Sequence, residues 1–229
     1  MAIDETYIGA LILIILVGIV LIKKSLVNRN FGKGSTDIGS KEFVDSISSA
    51  ALILFTPKSK YENTIHSIVD YSLKKNRAVL LVSSAPRTEG FTKKFNNEFN
   101  KGNLIVVKIS SSQKTDRFYF KNEDAKKGNL KGKVAEISVD WLEYLSEIIE
   151  GLGGGSVLVF EPLTDLILMK GFDKAFKFMK KTIDLTAEQD VQVISFINDE
   201  AHEDNVKAGF EGLFTNIVKI TNGKIKILK

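Results

Sequence analysis

From Ser49 to the C-terminus, short apolar runs alternate with amphipathic stretches, and this alternation constrains the fold more than any other feature of the 229 residues. The runs AALILF (50–55), AVLLVSS (78–84), NLIVVKIS (103–110), SVLVFE (156–161) and VQVISFI (191–197) are apolar at nearly every position. Strands covered on both faces need that pattern, and such strands belong to parallel sheets with helices above and below. Between the runs, residues 61–75 place Ile65, Ile68, Val69, Ser72 and Leu73 on one helical face, and 88–99 space Phe91, Phe95 and Phe99 four apart. Residues 139–152 carry Trp141, Leu142, Leu145, Ile148 and Ile149 before three glycines. Residues 171–189 carry Phe172, Ala175, Phe176, Met179, Ile183 and Leu185 at helical spacing, which suits core packing better than a partner groove. A short helix is expected at 203–210. The closing LFTNIVKITNGKIKIL reads as a hairpin, because Asn222-Gly223 supplies the positive φ values of a two-residue turn. The expectation is one α/β domain of three layers, α/β/α, with a mostly parallel sheet and a C-terminal β-hairpin.

A second feature stands apart from this domain. Residues 7–22, YIGALILIILVGIVLI, contain no charge and as a helix would span about 24 Å, with Tyr7 at one interface and Lys23 and Lys24 snorkelling at the other. Asp4 and Glu5 precede the run, while Lys23, Lys24, Arg29 and Lys33 follow it, so the basic flank places the C-terminal side in the cytoplasm. The expected organisation is a transmembrane anchor over 1–24 that meets the bilayer through residues 7–22, a flexible Gly/Ser/Asn-rich linker over 25–40, and a cytoplasmic domain over 41–229. A cleaved signal peptide would need basic residues before the run and a small-residue cleavage site after it. Neither is present.

Composition removes several function classes. The chain has no cysteine, which excludes disulfide scaffolds, thiolate metal sites and cysteine nucleophiles. Only two histidines occur, His66 and His202, and both read as ordinary helix or loop residues. No metal site is expected. The net charge is +4 and Lys far outnumbers Arg, which suits solvated surface rather than bidentate recognition of phosphates or bases. Nucleic acid is therefore not an expected partner. The stretch Arg117, Phe118, Tyr119, Phe120 and Lys121 lies within a polar, Lys-rich segment over 113–133, read as an insertion or long loop.

In open α/β sheets ligands bind beyond the carboxyl ends of the strands, which directs attention to residues 55–61, 83–90 and 161–165. A phosphate-binding loop at the first place needs glycines, a Lys and a Ser or Thr for magnesium. The sequence offers FTPKSKY, without glycine, with Pro57 lacking an amide proton and with Tyr61 after Lys60. Lys58, Ser59 and Lys60 at a helix start retain the means for weak anion or nucleotide binding. Glu161 ends an apolar strand where a magnesium-binding acid of an NTPase would stand, with Asp165 four residues on. These five residues are the candidate binding site. No catalytic residue and no firmly bound cofactor is expected, because a lone acid without a phosphate cradle has no metal-bound substrate to act upon. Paired carboxylate chemistry by Glu161 and Asp165 lacks a convergent His or nucleophile.

Three stretches carry a resemblance to a known family: LILFTPKSKYENTIHSIVDYSLKKNRAVLLVSS, VDWLEYLSEII, and SVLVFEPLTDLILMKGFDKAFKFMKKTIDL followed by VQVISFIND. Their order resembles the RecA/KaiC-like P-loop fold, and more closely an archaeal family that looks like a degenerate version of it. The resemblance implies a RecA-like domain whose first stretch is strand, phosphate loop, helix and second strand, and whose last is the strand ending in the magnesium acid. It implies a pseudo-ATPase in a scaffolding or regulatory role, with a protein partner or a second copy of itself.

Overall fold

The computed structural model describes residues 37–110, 131–138, 144–221 and 224–229. Among these residues nine strands form one sheet in the order β1-β9-β8-β2-β7-β6-β3-β4-β5. The strands are β1 (Asp37–Ile38), β2 (Ala50–Phe55), β3 (Val79–Ser84), β4 (Leu104–Ser110), β5 (Val134–Ser138), β6 (Val157–Phe160), β7 (Gln192–Asn198), β8 (Asn216–Thr221) and β9 (Lys224–Ile227). Seven of them, from β8 to β5 in the sheet order, run parallel; β9 is antiparallel to β8 and to β1.

The helices are α1 (Ser40–Ser46), α2 (Tyr61–Lys74), α3 (Ala85–Lys94), α4 (Asn96–Lys101), α5 (Tyr144–Glu150), α6 (Leu163–Lys170), α7 (Phe172–Glu188) and α8 (Asp204–Glu211). They divide between the two faces of the sheet. In β2, Ala50, Leu52 and Leu54 belong to the apolar layer that includes residues of α5, α6, α7 and α8; Ala51, Ile53 and Phe55 belong to the other, with residues of α1, α2, α3 and α4. Every β2 residue is buried because a strand between two parallel neighbours under helices has no wet face. Each fully buried Leu, Ile, Val or Phe contributes roughly 1.5–3 kcal/mol of transfer free energy, so the two apolar layers are the main source of stability.

Phe172 and Phe176 pack edge-on against Phe210 of α8, with ring centroids 5.5 and 5.9 Å away, and Met179 is fully buried. The aromatic stripe of α7 is thus core. Gly209 permits this approach, since a Cβ there would come within 2.7 Å of the Phe172 ring.

Several local details differ from the sequence pattern. The helix expected over 88–99 is two: α3 starts earlier, with a proline in its first turn, and the helical path breaks at Phe95 (φ −109°, ψ 30°) before α4. Residues 134–138 are a strand at the edge of the sheet, with Ala135 and Ile137 buried and Val134 exposed. Pro162 and Thr164 suit a turn after Glu161, but residues 163–170 form α6, which ends at Gly171 in a positive-φ conformation (φ 80°, ψ 165°). The sheet also takes in Asp37 and Ile38, and α1 begins at Ser40, inside the stretch read as linker. The expected span over 7–22, the aromatic-basic stretch 117–121 and the turn residues 222 and 223 lie outside the described residues. Among the described residues no helix is long and apolar enough to cross a membrane.

Candidate functional site

The strand order creates two crevices. In the central set β2-β7-β6-β3, the outer strands lead into α2 and α3 on one face, and the inner strands lead into α8 and α6 on the other. Chains leaving adjacent strands in opposite directions open a gap at the carboxyl edge. A cleft of about 280 Å³ occupies this edge, lined by Phe55, Pro57, Tyr61, Glu62, Arg87, Glu161, Thr164, Asp165 and Asn198.

The turn between β2 and α2 is built unlike a phosphate cradle. Pro57–Ser59 form one turn of 3₁₀ helix, in which both the amide and the hydroxyl of Ser59 donate to the Thr56 carbonyl, at 2.9 and 2.6 Å. Both Ser59 donors are thereby withheld from an incoming anion, and Pro57 has no amide proton to offer. Lys60 adopts a left-handed conformation (φ 54°, ψ 35°) at the helix start, and its side chain and that of Lys58 point to solvent. The Tyr61 ring stacks on Phe55, centroids 3.8 Å apart and planes 21° from parallel.

Glu161 lies across the cleft with its side chain only 2% exposed. A carboxylate this deep must be paired or neutralised, and every partner is present. The Arg87 guanidinium forms an ion pair with Oε1, and the Tyr61 hydroxyl donates to the same oxygen at 3.3 Å. The Ser83 hydroxyl and the Ser84 amide donate to Oε2 at 3.3 and 3.2 Å. Arg87 also bonds Glu62 through Nε at 3.2 Å and lies over the Tyr61 ring, 5.3 Å from its centroid. Burial pushes the Tyr61 phenol up to about 12; Arg87 opposes the shift, and Glu62 and Asp165 add to it. The phenol therefore remains a donor to Glu161 at any physiological pH.

Of the five residues anticipated from sequence, the fold brings Glu161 and Asp165 into the cleft and leaves Lys58, Ser59 and Lys60 out of its lining. Asp165, half-buried in the first turn of α6, faces the cleft beside Thr164, whose hydroxyl accepts from the Asn198 amide at 2.8 Å. The residues missed were Arg87, Tyr61 and Ser83. The region 83–90 was marked by its place after a strand, and Arg87 is one of only four arginines, but neither fact names its partner 74 positions on. The lining carries three carboxylates, Glu62, Glu161 and Asp165, against one guanidinium, a formal balance of −2.

Elsewhere, Asp199 just past β7 receives Lys207 at 3.0 Å and Lys219 at 2.6 Å. The Lys219 hydrogen bond holds its carboxyl below the usual range, against the effect of burial and with the help of Lys207. His66 packs against Phe91, centroids 4.6 Å apart, and burial lowers its pKa. Burial, followed by Lys207, likewise lowers His202. Among the described residues no group of three or more His, Asp or Glu is placed to hold a metal ion.

No family profile and no curated protein matches the chain. Solved structures do. A protein of Pyrococcus horikoshii OT3, PH0250, is similar at a TM-score of 0.55 and 17% identity over 83% of this chain and 91% of its own. The flagellar accessory protein FlaH of Methanocaldococcus jannaschii is similar at 0.50 and 17% over 86% and 88%. The KaiC-like protein PH0186 of Pyrococcus horikoshii OT3 aligns at 0.49 and 9% over 86% of this chain and all of its own. The likeness to the first two shows that the described domain has a RecA-like fold.

Proposed function

We propose that this chain is a membrane-anchored RecA-like domain without catalysis, a scaffold or regulatory module that acts by binding a protein partner or a second copy of itself. One observation carries the reading: both oxygens of Glu161 are engaged by Arg87, Tyr61, Ser83 and the Ser84 amide. A magnesium-binding or water-activating acid needs a free lone pair directed at the substrate. Here the acid acts as a buried tie between β6, β3, α2 and α3. The turn after β2 supports the same reading, because Ser59 spends its amide and hydroxyl internally and the lysines lie outside the cleft lining. The net negative lining also repels a triphosphate.

The anchor over residues 7–22 and the cytoplasmic placement of the domain rest on the hydropathy and flanking charge of the sequence. The alternative is a nucleotide-responsive switch in which Lys58 and Lys60 swing inward to hold phosphates and Glu161 gives up Arg87. Thermal unfolding of the full chain in detergent with ATP, ADP and magnesium separates the two. A nucleotide present at about 100 times its Kd adds roughly 2.7 kcal/mol. We expect no shift at millimolar nucleotide, and a saturable shift abolished by Lys60→Ala would replace the scaffold with the switch.

A further inference from the structure

The cleft that fails to suit a phosphate suits the opposite charge. Arg87 already demonstrates the chemistry: its guanidinium is held by Glu161 on one side and Glu62 on the other, and it lies over the Tyr61 ring. Carboxylate forks and an aromatic face are what a guanidinium or ammonium group selects. Arg87 does not exhaust them. Asp165 projects into the same cleft and, among the described residues, has no hydrogen bond or ion pair, while Glu62 remains more than half exposed. The lining keeps a balance of −2 with Arg87 counted. Phe55 and Pro57 offer apolar wall for an aliphatic stem, and Asn198 and Thr164 supply polar edge.

We propose that this cleft is a recognition pocket for a cationic nitrogen group on an aliphatic stem, a guanidinium or primary ammonium, which binds beside Arg87 against Asp165 and Glu62. The proposal rests on the non-catalytic reading above and names what the site receives in place of nucleotide. The group has two sources, an Arg or Lys side chain on a protein segment or a free polyamine, and the same titration separates them.

The test is isothermal titration calorimetry of the full chain in a non-ionic detergent with four probes: acetyl-Gly-Arg-Gly-amide, its citrulline isostere, spermidine and magnesium ATP. The arginine peptide should bind about tenfold or more tightly than the citrulline peptide, as expected when one charge-assisted contact is removed. Asp165→Asn should weaken the arginine peptide by a similar factor. Asp165 is half-buried and, among the described residues, unpaired, so this variant leaves the fold intact. Arg87→Gln vacates the pocket's own guanidinium and should tighten the peptide; if that variant does not fold, the Asp165→Asn comparison carries the test alone. Peptide binding stronger than spermidine assigns the site to a protein segment, and the reverse assigns it to a polyamine; both uphold the pocket. Equal binding of the arginine and citrulline peptides, or no binding of either peptide or of spermidine, overturns the pocket and leaves the non-catalytic reading standing. Binding of magnesium ATP that Glu161→Gln abolishes overturns both.

Discussion

Two carboxylates sit at the carboxyl ends of neighbouring strands, and each is neutralised within the chain, yet at different depths. Glu161, after β6, is 2% exposed at its side chain and has four donors drawn from three other elements. Asp199, after β7, is 18% exposed and is held by two lysine ammonium groups, one of which, on Lys219, is itself 39% exposed. Glu161 itself is closed off from water although Arg87 is 35% exposed, whereas water reaches both Asp199 and Lys219. Burial turns an ion pair from a replaceable surface contact into an obligation, because removing one partner strands the other in a medium that cannot solvate it. The contrast identifies Glu161 as a structural tie and Asp199 as a solvent-screened junction between α8 and β8.

Breaking the deep pair should produce the larger loss. Arg87→Met leaves Glu161 buried with only neutral donors, and we expect a loss of about 3 kcal/mol, the low end for a buried pair because Arg87 is itself 35% exposed. Urea unfolding reads this as a lower midpoint at an unchanged slope. The double variant Arg87→Met, Glu161→Leu should recover most of the loss, and a double that stays as unstable as the single would refute the charge argument.

Tyr61→Phe is next. It removes one donor to Glu161 and should cost about 1–2 kcal/mol at neutral pH. It should also erase an alkaline transition. The folded phenol holds its proton up to about 12, whereas the unfolded one loses it near 10.0, so the native protein binds more protons in that window and its stability declines as pH rises through it. The decline is of order 2–3 kcal/mol in the parent chain and absent in the variant.

The shallow pair should give the smallest effect. Asp199→Asn is expected to cost about 1 kcal/mol, and high salt should diminish that difference by a larger fraction than it diminishes the Arg87→Met loss. The folded pKa of Asp199 lies below its ordinary 3.8, so its contribution is complete above that value and fades as pH falls through the folded value. An acid titration of parent and variant should converge at low pH; parallel curves would show that the junction is not electrostatic.

The strands that form the sheet centre were legible because each is an unbroken apolar run, a pattern that period alone assigns to burial on both faces. β5 escaped notice because an edge strand is short and half wet, and its two buried residues, Ala135 and Ile137, follow a long polar stretch. α6 escaped for the opposite reason: Glu161, Pro162 and Thr164 suggested a turn, but Leu163, Leu166 and Ile167 are buried and the segment coils to bury them. At the candidate site, the acids were readable from their position after a strand. Their partner was not. Ion pairing joins α3 to β6 through the strand order, and single-sequence periodicity contains no information on which strand ends become neighbours. The RecA-like fold follows from element order, whereas the internal use of the Ser59 amide required coordinates.

The pairing of β2 carries a consequence for how the domain is made. Ala50 is aligned with Val193 and Ala51 with Asn216, so the first core strand to leave the ribosome acquires its neighbours last. Loop closure over such a span is slow relative to local structure, and until it occurs the six apolar residues of β2 lack a place in the sheet. Biosynthesis thus leaves an aggregation-prone segment waiting for strands made much later, and a deletion that removes β8 injures the middle of the domain rather than its margin.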